Sequence, residues 1–207
     1  MKDIFQGPVF DFICKERSFI SDKWHAHGGI IDTVNDRNLN LSRQGTDFIR
    51  KFLLETRPYY IIETGTNYGS FSYLLYETLD DFELITCDIN SESKRCIDFI
   101  NQNYRSSKVS FRNADSDILL IDLIEQEKKV DLAWLDSGHG YNGIVNELKK
   151  AKVLESKFIM IDDIFLVKPV HKAVFEFLSE NEDYNFHSYS NLNDHIGSIL
   201  IMQRTNE

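Results

Sequence analysis

Between Tyr59 and Asp162, short apolar runs alternate with amphipathic stretches, and this alternation constrains the fold more than any other feature of the sequence. The runs are Tyr59–Ile62, Leu84–Asp88, Val109–Arg112, Val130–Asp136 and Phe158–Asp162. Helical patterns lie between them at Phe71–Leu79, Ser91–Tyr104, Asp117–Glu127 and Tyr141–Val153; in the last, Ile144, Val145, Leu148 and Ala151 share one apolar face. Strands that alternate with helices imply a parallel sheet covered by helices on both faces. After Asp163 come a helix at Val170–Glu180 and two β-like runs, Tyr184–Tyr189 and Ser198–Gln203. A loop as short as Ser190–Gly197 makes those two pair antiparallel. The expected fold is an α/β, doubly wound, mostly parallel sheet closed by a C-terminal hairpin.

The region before Tyr59 reads differently. Ser42–Glu55 is helical, with Phe48, Ile49, Phe52 and Leu53 as its buried stripe, and Arg57-Pro58 stops it. Residues 1–41 form an N-terminal extension, and 42–207 the main domain. The stretch Ser21–Asn40, with Trp24, His25 and His27, has no clear period; it is either a surface extension or a lid over the site. The aromatic-rich start (Phe5, Phe10, Phe12, Phe19) either builds a homodimer contact or packs on its own core.

Charge narrows the partners. The chain has 33 acids against 23 bases, a net charge of −10, and no basic tract of five or more. Nucleic acid is not expected as a partner, because neutralising phosphates needs clustered Lys and Arg. No window of 18 apolar residues offers a membrane span, and the start of the chain lacks the apolar core of a signal peptide. Cys14, Cys87 and Cys96, odd in number and set in or beside apolar stretches, suggest reduced thiols and a cytoplasmic setting.

The chemistry starts at residues 59–69, Tyr-Tyr-Ile-Ile-Glu-Thr-Gly-Thr-Asn-Tyr-Gly. A strand ends in a carboxylate, Glu63, and turns through Gly65 and Gly69 into a helix whose first N–H groups, over Thr66–Ser70, are expected to be free. Asp88 ends the next strand, placed to accept hydrogen bonds from ribose hydroxyls. Glu63 sits too near the turn for a pyrophosphate, and the spacing is Gly-x-x-x-Gly rather than Gly-x-Gly-x-x-Gly. Both points favour S-adenosylmethionine, which carries an ammonium and a sulfonium, over NAD. The plain alternative is a glycine turn with no ligand.

A second group lies at the ends of two later strands. Asp136, Asp162 and Asp163 would converge beside the cofactor, and three acids together are costly unless a cation sits among them. Oxygen donors suit Mg²⁺, which would lower the pKa of a substrate hydroxyl. His139 is placed to take the proton. The plain readings are a helix-capping Asp136, solvated turn residues at 162 and 163, and a loop histidine bonded to Asp136. His195 and the lid histidines are weaker candidates, and the Tyr104-x-x-x-Lys108 pair of reductases stands where no such site forms.

Ile-Ile-Glu-Thr-Gly-Thr-Asn-Tyr-Gly-Ser-Phe-Ser resembles the first motif of class I S-adenosylmethionine-dependent methyltransferases, in the branch of catechol and macrocin-type O-methyltransferases. Asp131-Leu-Ala-Trp-Leu-Asp136-Ser-Gly-His139-Gly-Tyr141-Asn-Gly143 is similar to that branch's fourth-strand signature, an acid followed three residues on by His. The resemblance covers about residues 42–203. It implies a seven-stranded sheet of order 3-2-1-4-5-7-6 with the seventh strand antiparallel. It also implies cofactor contacts at Glu63, Gly65, Thr66, Asn67, Gly69, Ser70, Asp88, Asp115, Ser116 and Asp136, with Asp115-Ser116 near the adenine amino group. Two departures stand out: Leu154-Glu155-Ser156-Lys157 replaces a Pro-Gly-Gly turn, and Asp162-Asp163 replaces an Asp-Asn pair. The expected activity is metal-assisted O-methylation of a small-molecule hydroxyl, on a sugar or a catechol-like compound. The alternatives are a metal-independent N-methyltransferase and a non-catalytic cofactor-binding domain.

Overall fold

The computed structural model describes residues 4–25, 43–106, 108–138, 140–165, 167–190 and 198–205. The apolar runs form a seven-stranded sheet: β1 Tyr60–Thr64, β2 Glu83–Asp88, β3 Val109–Asn113, β4 Leu132–Leu135, β5 Phe158–Ile161, β6 Tyr184–Ser190 and β7 Ser198–Arg204. Their order is β3-β2-β1-β4-β5-β7-β6, as the resemblance implied. The first five strands pair in parallel, while β7 runs antiparallel to both β5 and β6.

Side-chain alternation along the strands divides the core into two layers. Ile61, Leu84, Leu132, Trp134, Phe158, Met160, Ile199 and Ile201 face one way, with α1 (Pro8–His25), α2 (Arg43–Thr56), α3 (Ser70–Tyr76) and α4 (Ser93–Tyr104) on that side. Ile62, Ala133, Leu135, Ile159, Ile161, Leu200 and Met202 face α5 (Ser116–Glu125), α6 (Tyr141–Val153) and α7 (Lys168–Glu180). Strands covered on both sides must be apolar at every position, which is why β4 (LAWL) and β5 (FIMI) are wholly buried.

Helix α1 is the element the sequence reading did not assign. Pro8 opens it, where its missing N–H costs nothing. Ile4, Phe10 and Ile13 are buried in the first core layer. Phe12 stacks on Phe99 of α4 at 3.9 Å, Phe5 meets Phe10 edge-on, and the Tyr73 hydroxyl donates to the Ile4 carbonyl at 2.6 Å. These aromatic side chains therefore pack on their own chain. Trp24 and His25 lie in α1 but their side chains fall outside the described residues, as do Phe19, His27, most of the β6–β7 loop and His195.

Strand and helix ends fall within three residues of expectation, and α6 matches at both ends. The C-terminal turns of α4, α5 and α6 each hold a residue in the left-handed conformation usually taken by glycine, but here it is Arg105 (φ 48°), Glu127 (φ 52°) or Glu155 (φ 52°). At Glu155 the bonds are Glu155 N–H to the Lys152 carbonyl (3.0 Å) and Ser156 N–H to that of Ala151 (3.1 Å), the paired closure of a Schellman turn.

Candidate cofactor and acceptor site

The strand order reverses between β1 and β4, and in open α/β sheets ligands bind outside the carboxyl ends of the strands at that reversal. A cleft lies there, enclosing about 460 Å³ with the open solvent at its mouth included. Glu63, Gly65, Thr66, Asn67, Ser70, Asp136 and Asp162 line it, with Tyr68, Phe71, Leu74 and Trp134 supplying the apolar wall. Trp134 packs against Phe71 at 4.3 Å, so it is both core and cleft wall.

Two glycines make the cradle possible. Gly65 has φ 88°, and a Cβ there would run into the backbone carbonyl of Asp136; the β1 and β4 ends approach this closely only because residue 65 has no side chain. Gly69 has φ 75°, and a Cβ would lie 2.8 Å from the Ile100 side chain of α4.

The turn between them is internally bonded, which corrects one expectation. The Thr66 N–H donates to the Cys87 carbonyl (3.1 Å) and the Gly69 N–H to the Thr66 carbonyl (2.8 Å). Asn67, left-handed at φ 48°, gives its N–H to the Asp88 carboxylate at 2.8 Å. These three N–H groups are not free for an anion, because a turn this tight satisfies its own donors. Asp88 also accepts from the Asn90 N–H at 2.8 Å, so it clamps the β1 and β2 ends together.

Among the described residues that line the cleft, several carry carboxyls and none carries a cationic side chain. Glu63 is 2% exposed, and Thr86 donates to its Oε2 at 2.5 Å while contacting the Thr66 hydroxyl at 2.5 Å. Burial pushes the Glu63 carboxyl up to about 8; the Thr86 bond opposes this and the Asp88 charge adds to it. Asp136 is partly reachable through the cleft, yet the protein crowds its carboxyl. Burial first, then the charges of Asp162, Asp163 and Glu63, hold its pKa well above the ordinary carboxylate range, with the Trp134 indole N–H pulling it back.

The structure thus brings Asp136, Asp162 and Asp163 within electrostatic reach of one another, at the ends of neighbouring strands. Oxygen donors of this kind have the chemistry a hard cation needs. Among the described residues, however, no group of three or more His, Cys, Asp or Glu side chains is arranged to hold a metal ion. Asp162 spends one oxygen on the Asp163 N–H at 2.8 Å, and Asp163 is left-handed at φ 58°. His139 lies outside the described residues.

On the far side of β2, Asp115 caps α5, its carboxylate accepting the Asp117 N–H at 2.9 Å, and Ser116 is the first residue of that helix. Tyr104 bonds to Glu77 and its hydroxyl is pushed up by burial, consistent with a structural role for the reductase-like pair. Three residues escaped the sequence reading. Thr86 could have been noticed as a polar residue inside an apolar strand. Ile89, 79% exposed directly after Asp88, is an apolar side chain left in water at the end of β2. Glu147 falls inside the apolar stripe read for α6.

A sequence profile of the family described as rhamnosyl O-methyltransferase/CmcI matches residues 38–191, more than half of the chain. A search of curated protein sequences finds no match. Among solved structures, the chain is similar to the O-methyltransferase TomG from Streptomyces achromogenes, involved in tomaymycin synthesis and solved with S-adenosylmethionine. That similarity has 14% identity over 96% of this chain and 91% of that one, with a TM-score of 0.65. An O-methyltransferase from Bacillus cereus solved with S-adenosylhomocysteine shows 14% identity over 93% and 90%, TM-score 0.62. An rRNA methylase from Streptococcus thermophilus shows 11% identity over 79% and 98%, TM-score 0.62.

Proposed function

The chain belongs to the rhamnosyl O-methyltransferase/CmcI family of S-adenosylmethionine-dependent methyltransferases, and from that premise we propose that it methylates a small-molecule hydroxyl, on a sugar or catechol-like acceptor, with help from a divalent cation. The observation that carries this reading is the pair of enclosed carboxyls, Glu63 and Asp136, facing one cleft that no cationic side chain among the described residues lines. A ligand bearing an ammonium and a sulfonium answers that deficit, and a pyrophosphate does not.

Each residue then has a task. Glu63 and Asp136 hold the cationic end of the cofactor, and Gly65 and Gly69 let the backbone of Thr66–Ser70 close on it. Asp88 accepts from the ribose hydroxyls while keeping the Asn67 turn in place. Ile89 and the Asp115-Ser116 corner border the purine. When bound, the cofactor would supply a methyl carbon on a sulfonium for transfer to the acceptor oxygen, the electron pair of the broken C–S bond leaving with sulfur. His139 takes the hydroxyl proton. Asp136, Asp162 and Asp163 would hold the cation, whose contribution is to lower the pKa of the acceptor hydroxyl. Alignment of oxygen, carbon and sulfur supplies much of the remaining rate. The free state of Cys14, Cys87 and Cys96 supports a cytoplasmic setting. Among the described residues no helix is long and apolar enough to cross a membrane.

The test is release of S-adenosylhomocysteine from purified protein given S-adenosylmethionine, Mg²⁺ and a panel of sugars and catechols. Chelation and Asp162→Ala should each remove nearly all of it. Turnover that survives both transfers the reading to a metal-free enzyme. Turnover of amines alone moves it to nitrogen.

A further inference from the structure

Helix α6 carries an acid where its apolar face should continue. Ile144, Leu148 and Ala151 are buried against the sheet, and Glu147, between them, is 1% exposed. A carboxyl placed so deep is costly unless polar groups meet it. The Ser137 hydroxyl, one residue past Asp136, donates to its Oε1. The hydroxyls of Ser116, at the start of α5, and Thr64, at the end of β1, lie near enough to favour its ionised form, although burial wins and raises its pKa. Oε2 is sealed from solvent and has no hydrogen-bond partner among the described residues. Thr64 is itself fully buried, and its hydroxyl accepts the Asp136 N–H at 3.3 Å. The cleft's floor, its acidic wall and its α5 corner therefore meet behind the site at one side chain.

We propose that Glu147 is a positioning residue for the cofactor: a single buried carboxyl gathers the ends of β1 and β4 and the entry to α5, and so fixes their spacing before the ligand arrives. It touches neither cofactor nor acceptor; it acts through Ser137, Ser116 and Thr64. The inference rests on the reading of the cleft as the S-adenosylmethionine site. Its consequence is a loss of cofactor affinity rather than of turnover once the cofactor is bound.

Calorimetric titration with S-adenosylmethionine tests this, with a melting temperature for every variant. Glu147→Gln keeps an oxygen for Ser137 and should bind within about threefold of wild type, the spread left when a single hydrogen bond is retained. Glu147→Leu keeps the volume and removes the acceptor. The folded variant should bind about tenfold more weakly or worse, a change of one decade in Kd for each 1.4 kcal/mol. Its kcat at saturating cofactor should be unchanged. Ser137→Ala should weaken binding as well, and in Glu147→Leu it should add nothing further, since both act through one contact. A folded Glu147→Leu protein with wild-type Kd overturns the proposal. Should that variant not fold, Ser137→Ala with wild-type Kd overturns it instead. Wild-type protein that binds no S-adenosylmethionine sinks the cofactor reading itself, an outcome distinct from either.

Discussion

Glu63 shows how one side chain can be plain in the sequence and still carry a property the sequence hides. Its place at the end of β1 follows from the apolar run before it and the glycine after it. Its ionisation does not: the burial that pushes it to about 8 comes from the packed sheet, and its partner Thr86 is 23 residues away. A carboxyl raised in the folded state keeps its proton between its ordinary value of 4.5 and about 8. The folded protein therefore binds the extra proton in that window. The stability this group contributes is fully present below the lower value and is lost as pH rises through the upper one. A cationic ligand favours the ionised form, so binding must expel the proton. Affinity for S-adenosylmethionine should rise from pH 6 to pH 8, by at most about tenfold per pH unit, and then level off. In Glu63→Gln the rise should largely disappear, what remains belonging to Asp136. Calorimetry in buffers of different ionisation enthalpy should also record proton release on binding. A Kd flat over that range in wild type would be incompatible with this account.

At the scale of elements, strands were legible because both of their faces are apolar, and helix ends were read to within three residues without any sign of how they close. A reader of sequence looks for glycine at a C-terminus, and α4, α5 and α6 close with Arg105, Glu127 and Glu155 instead. An L-residue held left-handed costs roughly 1–2 kcal/mol, so these turns are sites of stored strain. Glu155→Gly and Glu127→Gly should each raise the melting temperature by about 2–4 °C, the shift that 1 kcal/mol gives a chain of this size. Loss of the exposed Lys129–Glu155 ion pair should offset little of it. A fall in melting temperature for both variants would show that the turns carry no strain. Helix α1 was missed for another reason: the buried Glu16 interrupts its apolar face, and Phe12 finds its partner, Phe99, far along the chain. Its packing makes a definite prediction. Phe10 is 1% exposed, and Phe10→Ala should cost roughly 3 kcal/mol or more in urea unfolding. A detachable lid would lose far less than 1 kcal/mol, within the range of surface substitutions.

For the whole molecule, topology and chemistry come apart. The order β3-β2-β1-β4-β5-β7-β6 places the cleft, but an O-methyltransferase and an rRNA methylase are both similar in fold to this chain, at TM-scores of 0.65 and 0.62. The sheet therefore does not say what receives the methyl group. The loops carrying His139 and His195 had no readable period, while the charge was legible from composition. With 33 acids against 23 bases, the chain repels a polyanion at long range. A nucleic-acid enzyme gains affinity by neutralising phosphates and releasing counterions, and its binding weakens steeply with salt. Here the cleft wall itself is acidic, with Glu63, Asp136 and Asp162 lining it. An RNA strand led to that mouth would bring phosphates against carboxylates. Filter binding with a structured RNA at roughly 50 mM salt, where such contacts are strongest, should detect no complex, and RNA should not compete with S-adenosylmethionine. A complex whose Kd climbs steeply as salt is raised would place the acceptor among nucleic acids and displace the small hydroxyl compound proposed above.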